Sequence, residues 1–163
     1  MKRFQIYLNS RDAIEGSTNP NRCSFDLSTI VPSISTERCN VRVSYFDVAV
    51  TSSAWTTAGV SSVLITSPSH AGLSQYQSTP SADQAVGVSF IRHSPIIGVF
   101  ATGSTANVSN LNSANLQYVS IGNVFSGTFI VELVDQRRRS LSGVLNSVNK
   151  DWSIIIDVEV ESD

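Results

Sequence analysis

The fold is decided by two runs near the C-terminal end, GTFIVELV at residues 127–134 and DWSIIIDVEV at residues 151–160. In the second run, large apolar side chains recur at every other position: Trp152, Ile154, Ile156, Val158 and Val160. Successive side chains of a strand point to opposite faces, so this alternation predicts a half-buried strand. We expect residues 135–140 to form a polar turn between two paired strands. The rest of the chain must supply the sheet that this pair completes.

Short alternating runs divided by Gly, Pro, Ser and Asn clusters recur along the chain. They predict further strands at residues 4–8, 23–27, 39–50, 63–65, 86–92, 96–101 and 116–121. The buried phase changes near Tyr45 and Phe46, which indicates a β-bulge. A Ser/Thr-rich loop is predicted around Trp55, and only residues 141–148 hint at helical spacing. The predicted core contains Phe4, Ile6, Phe25, Val131 or Leu133, Ile154 and Ile156.

These strands indicate an all-β protein with one domain over residues 1–163. Many short strands with long connections are typical of a β-sandwich or barrel. The more specific prediction is a single jelly-roll β-sandwich of about eight antiparallel strands.

Composition narrows the classes of function. The chain has 163 residues, a net charge of −2 and a pI near 5.6, which argues against a general nucleic-acid-binding protein. No apolar run approaches the ~20 residues of a membrane span. The opening MKRFQIY lacks the apolar core of a secretion signal, and two cysteines make no disulfide framework. We therefore expect synthesis in a reducing cytosol, with Cys23 and Cys39 as buried free thiols.

The middle of the chain is poor in charge. Between Val48 and Val131 the formally charged side chains are Asp83 and Arg92 alone. Charged residues are depleted where protein surfaces cover each other, because an unpaired charge is costly to desolvate. This pattern predicts a surface covered in an assembly, with neutral loops as the alternative.

Little in the sequence points to catalysis. His70 and His93 lack the spacing of a metal pair, and Cys23 and Cys39 form no C-x-x-C motif. No phosphate-binding loop or nucleophile elbow occurs in the sequence. We expect no enzyme, no cofactor and no metal. A metal site or triad assembled only by the fold stays open.

Five residues are candidates for partner contacts. The guanidinium groups of Arg137, Arg138 and Arg139 match carboxylates or phosphates, although a solvated hairpin turn explains them as well. Trp55 could anchor an interface or fold back onto the sandwich. Trp55 and Tyr76, in neutral loops, would also suit the ring faces of a sugar.

Both ends of the chain resemble a known family. The opening has FQIYLNSRD at residues 4–12 and NRCSFDL at residues 21–27, and the close has FIVELVD at residues 129–135 before the run at 152–159. These segments resemble the small jelly-roll capsid proteins, penton or minor capsid, of large icosahedral double-stranded DNA viruses. The resemblance leaves out residues 51–126.

The resemblance implies a structural subunit of the virion, made in the host cytoplasm, without a cofactor. Its implied partners are copies of itself, a pentamer in the penton case, and the major capsid protein or other capsid proteins. The penton and minor capsid roles both stay open. The alternative from another class is a soluble carbohydrate- or ligand-binding β-sandwich module.

Overall fold

A computed structural model of the chain describes residues 1–16, 21–30, 38–70, 72, 75, 94–102, 117–145 and 151–161. The strands in these ranges are β1 (Lys2–Asn9), β2 (Arg22–Asp26), β3 (Arg38–Val48), β4 (Ser62–Thr66), β5 (Ile96–Ala101), β6 (Val119–Gly122), β7 (Thr128–Asp135) and β8 (Trp152–Val160). A 3₁₀ turn covers Ser10–Asp12, and two short helices are α1 (Ser52–Ala58) and α2 (Ser142–Leu145). The predicted all-β class is confirmed. The strand predicted at residues 86–92 lies outside the described residues.

The strands form two antiparallel four-stranded sheets. The first sheet has the order β1-β8-β3-β6, and the second has the order β2-β7-β4-β5. Among these strands, the first therefore pairs with the last, the second with the second to last, and so on inward. The four pairs are β1 with β8, β2 with β7, β3 with β6 and β4 with β5. Two further pairs, β3 with β8 and β4 with β7, complete the sheets.

The prediction that the two C-terminal runs pair with each other is wrong. The strand β7 lies between β2 and β4 in the second sheet, whereas β8 lies between β1 and β3 in the first. The connection between β7 and β8 spans residues 136–151, and at its start the chain turns back on itself so that Ser140 bridges to Val134. The alternation in each run determines which face of the strand is buried. It does not determine which strand lies beside it, because the apolar face can be buried with any partner.

The predicted β-bulge in the third strand is confirmed. The pairing of β3 with β8 shifts by one residue between Val43 and Tyr45. Because of this shift, Val43 and Phe46 both face the core, with at most 1% of either residue exposed. Tyr45 stays on the outer face and is half-buried.

The core lies between the inner faces of the two sheets. The predicted core residues Ile6, Phe25, Val131, Leu133, Ile154 and Ile156 are all buried. Phe4 is only half-buried, and its ring meets Phe125 edge-on with the ring centroids 5.6 Å apart. Burying each large aliphatic side chain contributes about 1.5–3 kcal/mol, so these contacts hold the two sheets together.

The prediction of a loop around Trp55 is wrong, because Trp55 is part of the helix α1. Thr51 caps the helix, and its side-chain oxygen accepts a hydrogen bond from the Ala54 amide at 3.3 Å. Gly59 ends the helix in the left-handed conformation, with φ of 69°. Serine and threonine have modest helix propensity, but burial of the Trp55 ring in the core favours the helix here.

Candidate contact surfaces

Trp55 does not lie on a surface. Only 1% of this residue is exposed, and its ring belongs to the hydrophobic core. The interpretation of Trp55 as an interface anchor is therefore corrected, and its alternative, that the ring folds back onto the sandwich, is confirmed. Within the described ranges the ring nitrogen of Trp55 has no hydrogen-bond partner, and burial of the large apolar ring outweighs that cost.

Tyr76 lies outside the described residues, but the preceding Gln75 has a definite place. Its side-chain nitrogen donates to the Ile96 carbonyl at 3.0 Å, and its side-chain oxygen accepts from the Ile96 amide at 2.6 Å. Because β5 ends the second sheet, the amide group of Gln75 occupies the place of a neighbouring strand at this point. An edge strand blunted in this way is less available for pairing with other chains.

The arginine turn, residues 135–139, is organised by a buried carboxylate. Asp135 has 2% of its surface exposed, and one of its oxygens accepts hydrogen bonds from the amides of Arg137 and Arg139. The other oxygen meets Nε of Arg139 at 2.7 Å. Arg138 takes a positive φ of 62°, which the tight turn requires. Arg139 therefore folds back onto the buried Asp135 of its own turn.

Gln136 and Arg137 are the exposed residues of the arginine turn. The side chain of Gln136 donates to the Gly59 carbonyl at 2.8 Å and accepts from the Ser61 amide at 3.1 Å. These bonds fix the turn against the end of α1. The structure thus holds Arg139 in an internal ion pair and leaves Arg137 exposed, and contact of Arg137, Arg138 and Arg139 with a partner stays a prediction.

A second surface, the edge groove, lies where β1 and β2 end the two sheets. It has a volume of about 240 Å³, and the residues that line it include Tyr7, Leu8, Asp12, Phe25, Asp26 and Ile30. Its lining combines apolar and polar residues, among them the acidic residues Asp12 and Asp26. Sequence reasoning missed this groove because its walls come from strands of different sheets.

Large apolar residues are exposed at four described positions, and two of them line the edge groove. Within the described part of the chain they are Met1, Tyr7, Ile14 and Ile30, and all four precede β3. Tyr7 is 58% exposed and Ile30 is 51% exposed, and both line the edge groove. Scattered apolar residues are ordinary on surfaces, but apolar residues gathered around a concave site are typical of a contact surface.

The outer face of the first sheet is a polar network. Asp157 lies at its centre, accepting from Gln5 on one side at 3.1 Å and meeting Nε of Arg42 on the other at 3.2 Å. The Arg42 guanidinium lies over the Tyr118 ring, 4.6 Å from its centre. This row crosses the sheet and fixes its side chains in one arrangement.

The next row across the same face is aromatic and apolar. Tyr7 lies beside Ile155, and Ile155 lies beside Tyr45 in the paired strands. The Tyr7 hydroxyl donates to Ser153 at 2.8 Å, and the Tyr45 hydroxyl donates to Asp47 at 3.4 Å. Two tyrosines next to fixed polar groups form a shallow surface with both ring faces and hydrogen-bonding groups.

Of the two histidines, His70 can be described, whereas His93 lies outside the described residues. Nε2 of His70 bonds to the Asn123 carbonyl at 3.0 Å and must donate, so Nδ1 accepts from the Ser69 hydroxyl at 2.7 Å. The Ser69 oxygen also accepts from the Ile130 amide at 2.9 Å. Burial lowers the pKa of His70. Ser69 and His70 therefore tie the turn after β4 to Asn123, directly after β6, and to Ile130 in β7.

Three other titratable groups are buried in strands. Cys23 in β2 and Cys39 in β3 are free, buried thiols, as predicted. Burial raises the pKa of Cys23 to about 12 and also raises that of Cys39. Burial likewise raises the pKa of Glu132, an effect that Arg22 partly offsets with its guanidinium nitrogen 2.9 Å from the carboxylate.

The described residues contain no group of three or more His, Cys, Asp or Glu side chains placed to hold a metal ion. In the same ranges, no helix has the length and apolar character needed to cross a membrane. The sequence matches no protein-family model, and comparisons with curated proteins and with solved structures find no significant match.

Proposed function

We propose that the chain is a viral structural protein, a single jelly roll that assembles with copies of itself and with neighbouring capsomers in an icosahedral capsid. The observation that carries the proposal is the strand pairing of β1 with β8, β2 with β7, β3 with β6 and β4 with β5. A long antiparallel ribbon folded into two facing sheets would produce these pairs, and such pairs are expected of a jelly roll, a fold of viral capsid and lectin domains.

The resemblance of both chain ends to capsid proteins supports the same proposal. The resembling segments contain β1, β2, β7 and β8, which form two of the mirror pairs. Either role, penton or minor capsid protein, requires a rigid body with several contact surfaces. The polar network on the first sheet and the arginine turn supply fixed side chains for such contacts.

The charge-poor middle supplies the first test. Thr56 is exposed on α1, and a carboxylate there would be costly to desolvate under a neighbouring subunit. We expect Thr56→Asp to fold normally but to enter oligomers or particles poorly. Thr56→Asn introduces a side chain of nearly the same shape as aspartate but without its charge, and this variant is expected to assemble like the unmodified protein.

Assembly is measured by light scattering after size-exclusion chromatography and by incorporation into particles made with the major capsid protein. We expect a mass that is a multiple of the 17.6 kDa chain, or incorporation into particles. A monomer at every concentration that also fails to enter particles would contradict the proposal. Gln75→Glu is unsuitable for this assay, because Gln75 binds the backbone of β5.

One observation favours a second candidate, a carbohydrate-binding module. The row of Tyr7, Ile155 and Tyr45 presents aromatic faces beside the fixed polar groups of Ser153 and Asp47. This candidate predicts binding to a glycan array that Tyr7→Ala abolishes. A monomeric protein with such binding would favour this function over assembly.

A further inference from the structure

We propose that the edge groove receives the arginine turn of a second copy of the chain, in a head-to-tail contact. This inference rests on the proposed self-assembly and names the two surfaces that would meet. The groove offers apolar side chains beside two acidic residues, Asp12 and Asp26, and the turn offers the exposed Arg137 on a fixed backbone.

The carboxylate side of the contact is built into the groove. One oxygen of Asp26 accepts hydrogen bonds from the Ser28 amide at 3.0 Å and from the Ser28 hydroxyl at 2.6 Å, which orient the group. The same bonds lower the pKa of Asp26, so the carboxylate is charged at neutral pH. Asp12 lines the groove from the 3₁₀ turn after β1. A cation that enters the groove therefore meets two carboxylates.

The cationic side of the contact is Arg137. Within the described residues, five arginines form ion pairs with acidic side chains: Arg3, Arg11, Arg22, Arg42 and Arg139. Arg137 is in none of these pairs, and it is exposed. Its backbone amide is held by Asp135, so the turn is already ordered before it meets a partner. Such preorganisation lowers the entropic cost of binding.

The two surfaces belong to different molecules in this contact. In the pairing of β2 with β7, Asp26 lies beside Thr128, whereas the arginine turn begins at Asp135 at the far end of β7. Seven residues of strand separate these points by about 23 Å. The turn therefore cannot reach the groove of its own chain. A contact between unlike surfaces repeats from copy to copy and closes into a ring or continues as a filament.

The size of the groove agrees with a side chain as its occupant. Its volume of about 240 Å³ lies below the range of ~300–1,000 Å³ that is usual for small-molecule pockets. The exposed Tyr7 and Ile30 can cover the aliphatic part of an arginine while the carboxylates bind its head. A second copy supplies such a residue, already presented on a rigid turn.

The test uses two single variants, Asp12→Arg and Arg137→Asp, in the full chain. Each variant places like charges in the contact, so each alone is expected to associate about tenfold more weakly than the unmodified protein. In a mixture of the two, the altered turn of one variant can enter the altered groove of the other, where opposite charges meet again. The unaltered turn and the unaltered groove, one from each variant, can also meet. We therefore expect the mixture to regain association, measured by sedimentation velocity at matched total concentration.

A second pair of variants tests the apolar part of the groove. Ile30→Asp changes a groove residue, whereas Ile14→Asp changes an isoleucine that is 64% exposed and outside the groove. We expect only Ile30→Asp to weaken association. Tryptophan fluorescence checks that each variant is folded, because Trp55 and Trp152 are both 1% exposed.

The outcomes separate this contact from self-assembly in general. If folded single variants associate like the unmodified protein, the contact is overturned while assembly through another surface stands. If each single variant associates weakly and the mixture associates equally weakly, the residues at positions 12 and 137 do not meet each other, and the contact is again overturned. An equal loss in Ile14→Asp and Ile30→Asp also overturns it. If the unmodified protein is always monomeric yet enters particles, only the contact between copies fails.

Discussion

Replacing Gln75 by glutamate tests whether a single side chain completes the edge of the second sheet. In the protein, the Gln75 amide both donates to and accepts from the backbone of Ile96. In Gln75→Glu, an ionised carboxylate can still accept from the Ile96 amide, but its second oxygen faces the Ile96 carbonyl with no proton to share. The change therefore replaces one hydrogen bond with a repulsive oxygen–oxygen contact.

The magnitude follows from the partly buried position of these bonds. Losing one hydrogen bond and leaving a partly buried carbonyl without a partner costs about 1–2 kcal/mol. A protonated glutamate has a hydroxyl that can donate to the same carbonyl, so folding favours the protonated form. The pKa of the introduced carboxyl group in the folded variant is then about one unit above its ordinary value of about 4.3, since one unit corresponds to about 1.4 kcal/mol.

The pH dependence has a definite sign. The pKa of the introduced carboxyl group is raised on folding. The hydrogen bond of its protonated form therefore contributes fully to stability below the unfolded pKa, and this contribution is lost as the pH rises through the folded pKa. Relative to the unmodified protein, Gln75→Glu should be nearly as stable at about pH 4 and about 1–2 kcal/mol less stable at pH 7. Comparing the two proteins at each pH cancels the titration of the other groups.

Urea unfolding followed by fluorescence is a suitable assay, because both tryptophans are buried. Gln75→Met serves as the control: it loses both bonds and should be destabilised by an amount that does not vary with pH. A pH-independent loss in Gln75→Glu, or no loss at pH 7, would refute the reasoning and show that Gln75 does not support β5.

The remaining predictions concern the core and the buried thiols. Ile154→Ala should lower the free energy of unfolding by roughly 2–5 kcal/mol in urea, because Ile154 is fully buried between the sheets, and a change near zero would contradict this packing. Cys23 should resist a thiol reagent at pH 8 in the folded protein and react rapidly in urea, since burial raises its pKa to about 12; rapid labelling of Cys23 in the native protein would show that β2 opens readily.

Local patterns predicted the strands better than their partners. The alternation around Ile154 identifies β8 because burial of one face is a property of the strand itself. The same alternation cannot tell whether β8 pairs with β7 or with β1. The polar turn after Asp135 suggests a hairpin between β7 and β8, but the turn returns only to the end of β7, where Ser140 bridges to Val134. Only the long-range register shows that β8 pairs with β1.

The candidate surfaces were less predictable than the strands. The serine and threonine residues around Trp55 favour a loop, although Thr51 and Gly59 are recognisable end signals of a helix. The role of Asp135 in folding Arg139 inward depends on side-chain direction within a tight turn. The edge groove depends on two strands from separate sheets ending side by side, which no local pattern contains.

The pairing of β1 with β8 has a consequence for biosynthesis. Ribosomes add ~5–20 residues per second, so β1 is made roughly 8–30 s before the strand that it pairs with. Because β8 also lies between β1 and β3, those two strands stay apart during that interval and both present open edges. The pair of β3 and β6 can form earlier, but the first sheet is completed only when residues 152–160 leave the ribosome. Until then, nascent chains on one polysome can pair with each other, and a chaperone that shields β1 and β3 would raise the yield of folded protein.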